Sequence, residues 1–183
     1  MDNEFTLIPF TAPATGIKGV SGTVRRQNGC LIITYRLTGN IESISMPLPQ
    51  APPARRDGLW KGSCFECFVQ AVGHDDYHEI NLAPNGDWNV YHFTKYRAGM
   101  AEESAIDRIE SAVFVERESA TIRCRIALDK CYPVSSLMQV GISCILLHRS
   151  GTPSHWALKH LGSKPDFHDS RAFCISLLNE RSL

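Results

Sequence analysis

An all-β antiparallel sandwich of the immunoglobulin-like or jelly-roll type, with about ten strands and one or two short helical turns, is the fold this sequence predicts. Three observations predict it. Short runs along most of the chain alternate apolar and polar residues, the period of a half-buried strand. Asn28-Gly29 and Asn85-Gly86 stand between such runs, and Asn-Gly is the strongest short hairpin signal because both central residues of a type I′ turn need positive φ. Helical signal is confined to two brief stretches, residues 98–108 and 133–138.

Residues 5–10 and 19–26 read as short strands separated by a loop containing Pro and Gly. Residues 30–37, CLIITYRL, form a stronger strand behind the Asn28-Gly29 turn, and residues 41–46 continue as a short one. Residues 47–56 hold four prolines and cannot be a central strand, since proline lacks the ladder donor; they predict a surface loop. Residues 111–118 and 121–128 alternate around a polar turn and predict a hairpin. Residues 139–147 are an apolar run of strand length, and residues 173–178 close the domain.

The centre of the chain is residues 57–97, three strands joined by two turns. With Asn85-Gly86 as a two-residue loop, Asn81 faces Val90 and Glu79 faces His92. A four-residue loop at 73–76 sets Gln70 opposite Glu79 and Phe68 opposite Asn81. Alternation then lists two faces. Phe65, Cys67, Val69, His78, Ile80, Leu82, Asn89, Tyr91 and Phe93 form a core face. Glu66, Phe68, Gln70, Tyr77, Glu79, Asn81, Trp88, Val90 and His92 form the other, whose mixture of carboxylates, amides and aromatics marks a candidate binding face. In this register Glu66 faces Ala83, about 13 Å from Glu79 at ~3.3 Å per residue, outside the roughly 5 to 9.5 Å of glycosidase carboxylate pairs. A catalytic pair is therefore not expected.

The 183 residues suffice for one domain with a full core, predicted over 1–183. Nineteen basic residues balance nineteen acidic ones, which points away from nucleic acid and anionic membranes. No segment reaches the roughly 20 apolar residues of a membrane span, and the start lacks a basic, apolar leader, so a cytoplasmic protein is expected. The seven cysteines are read as reduced core thiols; Cys64 and Cys67, three apart on a strand, point to opposite faces. His155, His160 and His168 match no zinc spacing. Calcium held by loop oxygens is compatible with the sequence, and no cofactor is predicted. The Pro165-Asp166-Phe167 loop predicts a pocket rim with Asp166 on it.

Four motifs carry a family resemblance: RRDGLWKGSCFECFV (55–69), YHEINLAPNGDWNVYHFTKYR (77–97), SHWALKH (154–160) and KPDFH (164–168). In them the chain resembles the DOMON-like ligand-binding domains, an uncharacterised bacterial group among them, and more distantly the carbohydrate-binding modules of family nine. The resemblance implies a sandwich that binds a sugar or haem on one face. By motif, Trp60, Glu66, Glu79, Asn81 and Trp88 would hold a saccharide, with Trp156 either a further aromatic or a core anchor. Carboxylates and amides suit hydroxyls, and indole suits a pyranose face. A non-catalytic domain binding a sugar-like small molecule is the function implied, with a haem-binding electron-transfer domain (Met46, Met100, His148 and His155 being available) and a glycoside-processing enzyme as alternatives. The sequence sets no oligomeric state.

Overall fold

The fold was analysed in a computed structural model that describes residues 2–12, 16–49 and 52–180. Gln50 and Ala51 of the predicted proline-rich loop lie outside these. Among the described residues thirteen strands form one hydrogen-bonded sheet: β1 (Asn3–Pro9), β2 (Ile17–Gln27), β3 (Cys30–Gly39), β4 (Cys64–Ala71), β5 (Tyr77–Leu82), β6 (Trp88–Phe93), β7 (Ala101–Glu102), β8 (Glu110–Val115), β9 (Ser119–Ala127), β10 (Met138–Leu147), β11 (Pro153–Ala157), β12 (Ile175–Leu177) and β13 (Asn179–Glu180). The path runs β7-β6-β5-β4-β10-β11-β1-β2-β3-β9-β8, with β12 beside β10 and β13 beside β2. Every strand pairing is antiparallel except β13 on β2. There are more strands than the ten expected, because β7, β11 and β13 are short pairings that alternation does not announce.

The path doubles back at β1, which pairs with β2 through Asn3 to Leu7 and with β11 through Ile8 and Pro9. Two layers result, β1-β2-β3-β9-β8 and β7-β6-β5-β4-β10-β11, packed through Val20, Leu31, Ile33, Val69, Ile80, Val90, Ile122 and Val140. Burial of this kind stabilises by roughly 25 cal/mol per Å² of apolar surface. The layers are also pinned by polar contact: the Tyr35 hydroxyl of β3 donates to the Glu66 carbonyl of β4 at 2.7 Å.

The Asn28-Gly29 hairpin forms as expected, with both φ values positive (49° and 74°) and Gln27 opposite Cys30. Three local expectations need correction. Residues 41–46 make a 3-10 turn (Ile41–Ser43) and one bridge instead of a strand. Residues 98–108 hold β7 and no helix, and residues 133–138 hold a turn closed by the Ser136 N–H donating to the Pro133 carbonyl.

The decisive correction concerns β5-β6. Leu82 lies opposite Trp88, Asn81 opposite Asn89 and Glu79 opposite Tyr91. The connection is the three-residue loop Pro84-Asn85-Gly86, closed by the Gly86 N–H donating to the Ala83 carbonyl and the Ala83 N–H donating to Asp87. Only Gly86 has positive φ (90°), the pattern of a type I turn followed by a glycine bulge. One added loop residue flips β6. Trp88, Val90 and His92 join Ile80 and Leu82 on the face toward the second layer, while Asn89, Tyr91 and Phe93 join Glu79 and Asn81. The β4-β5 loop differs from expectation by an even number, Gln70 pairing with Tyr77, so its faces stay as predicted.

Candidate functional site

Beyond the interlayer core, the outer face of β4, β5, β6, β10 and β11 lies under two loops and carries a cavity of about 620 Å³. Strands supply its base: Glu66 (β4), Glu79 (β5), Phe93 (β6), Ile145 (β10) and His155 (β11). Trp60 enters from a 3-10 turn (Leu59–Lys61), Arg97 and Met100 from the β6-β7 loop, and Lys164, Pro165, Phe167 and His168 from the loop after β11. Phe68, Tyr77, Tyr91, Phe93 and Phe173 make a small aromatic cluster on this face, with Trp60 and Phe167 packed on it.

Two carboxyl groups sit at the base. Glu66 lies opposite Asn81, which puts Glu79 diagonally across from it on the same face, a pair whose Cα atoms are about 7–8 Å apart in any antiparallel ladder. The separation of about 13 Å expected from sequence is therefore corrected, and the distance argument against a carboxylate pair falls with it. Glu66 accepts from the Ser143 hydroxyl at 3.2 Å, and Glu79 accepts from the Asn81 amide at 2.8 Å. Burial and then the neighbouring Glu79 push the Glu66 carboxyl up to about 8, so at neutral pH it holds a proton and can donate a hydrogen bond. Burial likewise raises Glu79, opposed by the Asn81 bond and the Arg97 charge.

His168 closes one wall. Its ring stands edge-on to Phe68 and Phe93 at 5.1 Å each, with Nε2 3.7 Å from Glu79 Oε2. Tyr77 Oη lies 2.8 Å from Nδ1 and accepts from the Arg97 N–H; in the tautomer where the Tyr77 hydroxyl donates to Nδ1, Nε2–H is turned toward the acid pair. Burial, aided by the Arg97 charge, holds the imidazole down to about 4 and hence neutral. The cavity thus offers donors (protonated Glu66, Nε2–H, guanidinium, ammonium) and an acceptor carboxyl between aromatic walls.

Of the residues the sequence put at the site, Trp60, Glu66 and Glu79 line this cavity. Asn81 is fully buried beneath it and holds Glu79, its Oδ1 3.6 Å from the Cys64 thiol. Three do not belong to it. Trp88 is 5% exposed in the interlayer core under the Arg55 guanidinium, 4.4 Å from its ring. Trp156 lies opposite Cys144 on β10, is 2% exposed in the same core, and donates to Ser154. His92 points to the core side of β6, beside His78 and Asp76. Asp166 sits on the outer side of the rim, accepting from Tyr96 and from Arg97 at 2.8 Å. Among the haem-ligand candidates, Met100 and His155 line the cavity, whereas His148 is buried against Ser154.

Sequence reasoning named the Pro165-Asp166-Phe167 loop as a rim, and Pro165 and Phe167 do line the cavity, but it missed Phe93, Arg97, Lys164 and His168. Phe93 was assigned to the wrong face by the loop length; the others come from loops whose meeting only the tertiary fold decides. A polar network anchors the Trp60 segment: Asn89 donates to the Arg56 carbonyl and to Tyr91, and the Tyr91 hydroxyl donates to Asp57 at 2.6 Å. The 55–69 motif is in good part this anchor.

No protein-family model matches the chain, and neither does any curated protein sequence. Solved structures do match. A candidate carbohydrate-binding protein from Bacteroides uniformis superposes with a TM-score of 0.67 at 16% identity, covering 98% of this chain and 87% of that one. The fold is also that of carbohydrate-binding modules of family 9. One from Caldicellulosiruptor kristjanssonii in complex with glucose gives 0.56 at 10% identity, covering 94% of this chain and 81% of that one. The cellotriose complex gives 0.53 at 8% identity, with coverages of 100% and 84%. At these identities the likeness is one of fold.

Proposed function

We propose that this protein binds a saccharide or sugar derivative in the cavity over Glu66 and Glu79 without transforming it. The observation that carries the reading is the pairing of two buried carboxyl groups with aromatic walls (Trp60, Phe93, Phe167) in one open cavity, on a fold shared with modules holding glucose and cellotriose. Protonated Glu66 donates to a ring hydroxyl, Glu79 accepts from another, and Trp60 covers an apolar sugar face. Lys164 and Arg97 at the rim extend the suitable ligands to sugar phosphates. Calorimetric titration with a panel of glucose, cello-oligosaccharides and sugar phosphates tests it. A hydrogen bond to a charged group contributes about 1.5–3 kcal/mol, so Glu79→Gln is expected to weaken binding roughly 10- to 100-fold, and Trp60→Ala comparably. Binding unchanged in the combined variant would remove the assignment.

A second reading, a glycoside-processing enzyme, is favoured by one observation: the two carboxyls share a wall, and one is protonated at neutral pH. Glu66 would be the acid and Glu79 the partner carboxylate. Turnover of aryl glycosides that vanishes in Glu66→Gln would establish it; a wild-type protein that binds a sugar and releases it intact returns the first reading.

A further inference from the structure

On the opposite face of β5, at the end of the sandwich, three side chains from three segments converge: His78 of β5, Glu103 after β7 and Cys131 in the β9-β10 connection. One ligand atom of each lies within 4.8 Å of the others. None of the three lines the sugar cavity.

The hydrogen bonds around the cluster fix how it is oriented. The Tyr132 hydroxyl lies 2.7 Å from the Val69 carbonyl, which can only accept, so the hydroxyl proton is committed there. His78 Nδ1, 2.7 Å from the same hydroxyl oxygen, must then be the protonated nitrogen. That leaves Nε2 with its lone pair aimed at the Glu103 carboxylate, 3.0 Å from Oε2. Two lone-pair atoms at that distance repel unless a proton or a metal ion lies between them, and a metal ion can take the place of the proton. The other carboxylate oxygen is occupied, accepting from the Ala105 N–H at 2.7 Å, so Oε2 is the one presented. His78 and Glu103 are thus each held by a second contact, the arrangement that orients metal ligands. Cys131, half-buried, completes the set with a soft donor.

We infer that His78 Nε2, Glu103 Oε2 and Cys131 Sγ form a binding site for a divalent transition metal of the Zn²⁺ class. One nitrogen, one oxygen and one sulfur suit that ion, and three protein ligands leave a fourth position for water. Binding releases the Cys131 thiol proton, and any proton held between His78 and Glu103, to solvent. Because β5 belongs to one layer and the β9-β10 connection leaves the other, the ion ties the layers together at this end of the sandwich.

Co²⁺ titration of the full chain in a Cys174→Ser background tests the site, Cys174 being the exposed thiol. Chelated, desalted protein is expected to bind one equivalent, with visible ligand-field bands and a near-ultraviolet thiolate charge-transfer band, all bleached by Zn²⁺. Cys131→Ser should lose the charge-transfer band, and Tyr132→Phe should keep it while weakening affinity roughly 10- to 100-fold. Zn²⁺ should raise the thermal midpoint of the parent and leave Cys131→Ser combined with Glu103→Gln unmoved. A folded parent with neither band nor midpoint shift, or a charge-transfer band that survives Cys131→Ser unchanged, overturns the proposal and leaves an imidazolium–carboxylate pair in its place.

Discussion

The two faces of β4, β5 and β6 are made of alternate residues of the same strands and are buried to the same degree, yet they are built for different ends. Toward the second layer lie Val69, Ile80, Leu82, Trp88 and Val90, none more than 5% exposed. Away from it lie Glu66, Phe68, Tyr77, Glu79, Asn81 and Asn89, none more than 6% exposed. The first face is covered by another sheet, which fills space with apolar atoms over its middle and leaves polar groups, His78 and His92, at its end. The second is covered by loops, which leave a cavity and keep polar groups out of water. Asn81 and Asn89 are compensated by hydrogen bonds; Glu66 and Glu79 have one such bond each, and burial shifts both toward the neutral acid. Burial alone therefore does not mark a core, and the costly burial is the one that calls for a function.

The largest expected effect sets two tryptophans against each other. Trp88→Ala opens a hole in the interlayer core and should cost about 3–5 kcal/mol in urea unfolding. Trp60→Ala, at a partly buried cavity wall, should cost under about 1.5 kcal/mol while weakening sugar binding roughly 10- to 100-fold. Equal losses of stability would erase the distinction between the faces.

Next in size is the pH dependence of the loop-covered face. Glu66 stands raised to about 8 from 4.5, so between those values the folded protein keeps a proton that the unfolded chain releases, and stability falls as pH rises through the window. His168 stands lowered to about 4 from 6.5, so the unfolded chain takes up a proton the fold refuses, and stability falls as pH drops through that window. Above pH 6.5 only the acid effect of this pair of groups operates. The thermal midpoint of Glu66→Gln should gain on the wild type from pH 6.5 to 8, by the equivalent of at most about 2 kcal/mol. A constant offset between the two profiles would show that Glu66 is ionised throughout.

How far the sequence discloses these faces turns on one proline. Asn28-Gly29 follows Gln27 and makes the two-residue turn that Asn-Gly favours; Asn85-Gly86 follows Pro84, whose fixed φ suits the first central position of a type I turn and draws the loop to three residues. The Asn85 side chain then clasps Asp87, accepting from its N–H and donating to its carboxylate. Pro84 was the available signal, and reading past it exchanged Trp88 and His92 for Tyr91 and Phe93. On β4 and β5 alternation placed Glu66 and Glu79 together on the outer face, since their loop erred by an even count. Trp156 was undecidable, because its face depends on the register of the β10-β11 hairpin, and β11 is too short for alternation to announce. Likewise nothing local brings Arg97 to Asp166 or His168 to Glu79: those contacts belong to loops docking on a finished sheet.

The smallest effect on stability is expected at that docking. Asp166 accepts from the Tyr96 hydroxyl, the Arg97 guanidinium and the His168 N–H, joining the β6-β7 loop to the loop after β11. The Arg97 side chain is 49% exposed, so the ion pair is screened by water and Asp166→Ala should cost under about 1 kcal/mol of unliganded stability. Its consequence lies in the cavity. Arg97 has positive φ (51°) and aims its guanidinium between the rim and the acid pair; freed from Asp166 it samples other rotamers, and a ligand must then pay to order it again. Sugar binding should weaken several-fold with the midpoint nearly unchanged, and Asp166→Asn, which keeps an acceptor oxygen, should recover part of the loss. A drop in unliganded stability of several kcal/mol would instead make the two loops part of the folding core, and the loop-covered face would differ from the interlayer face in composition only.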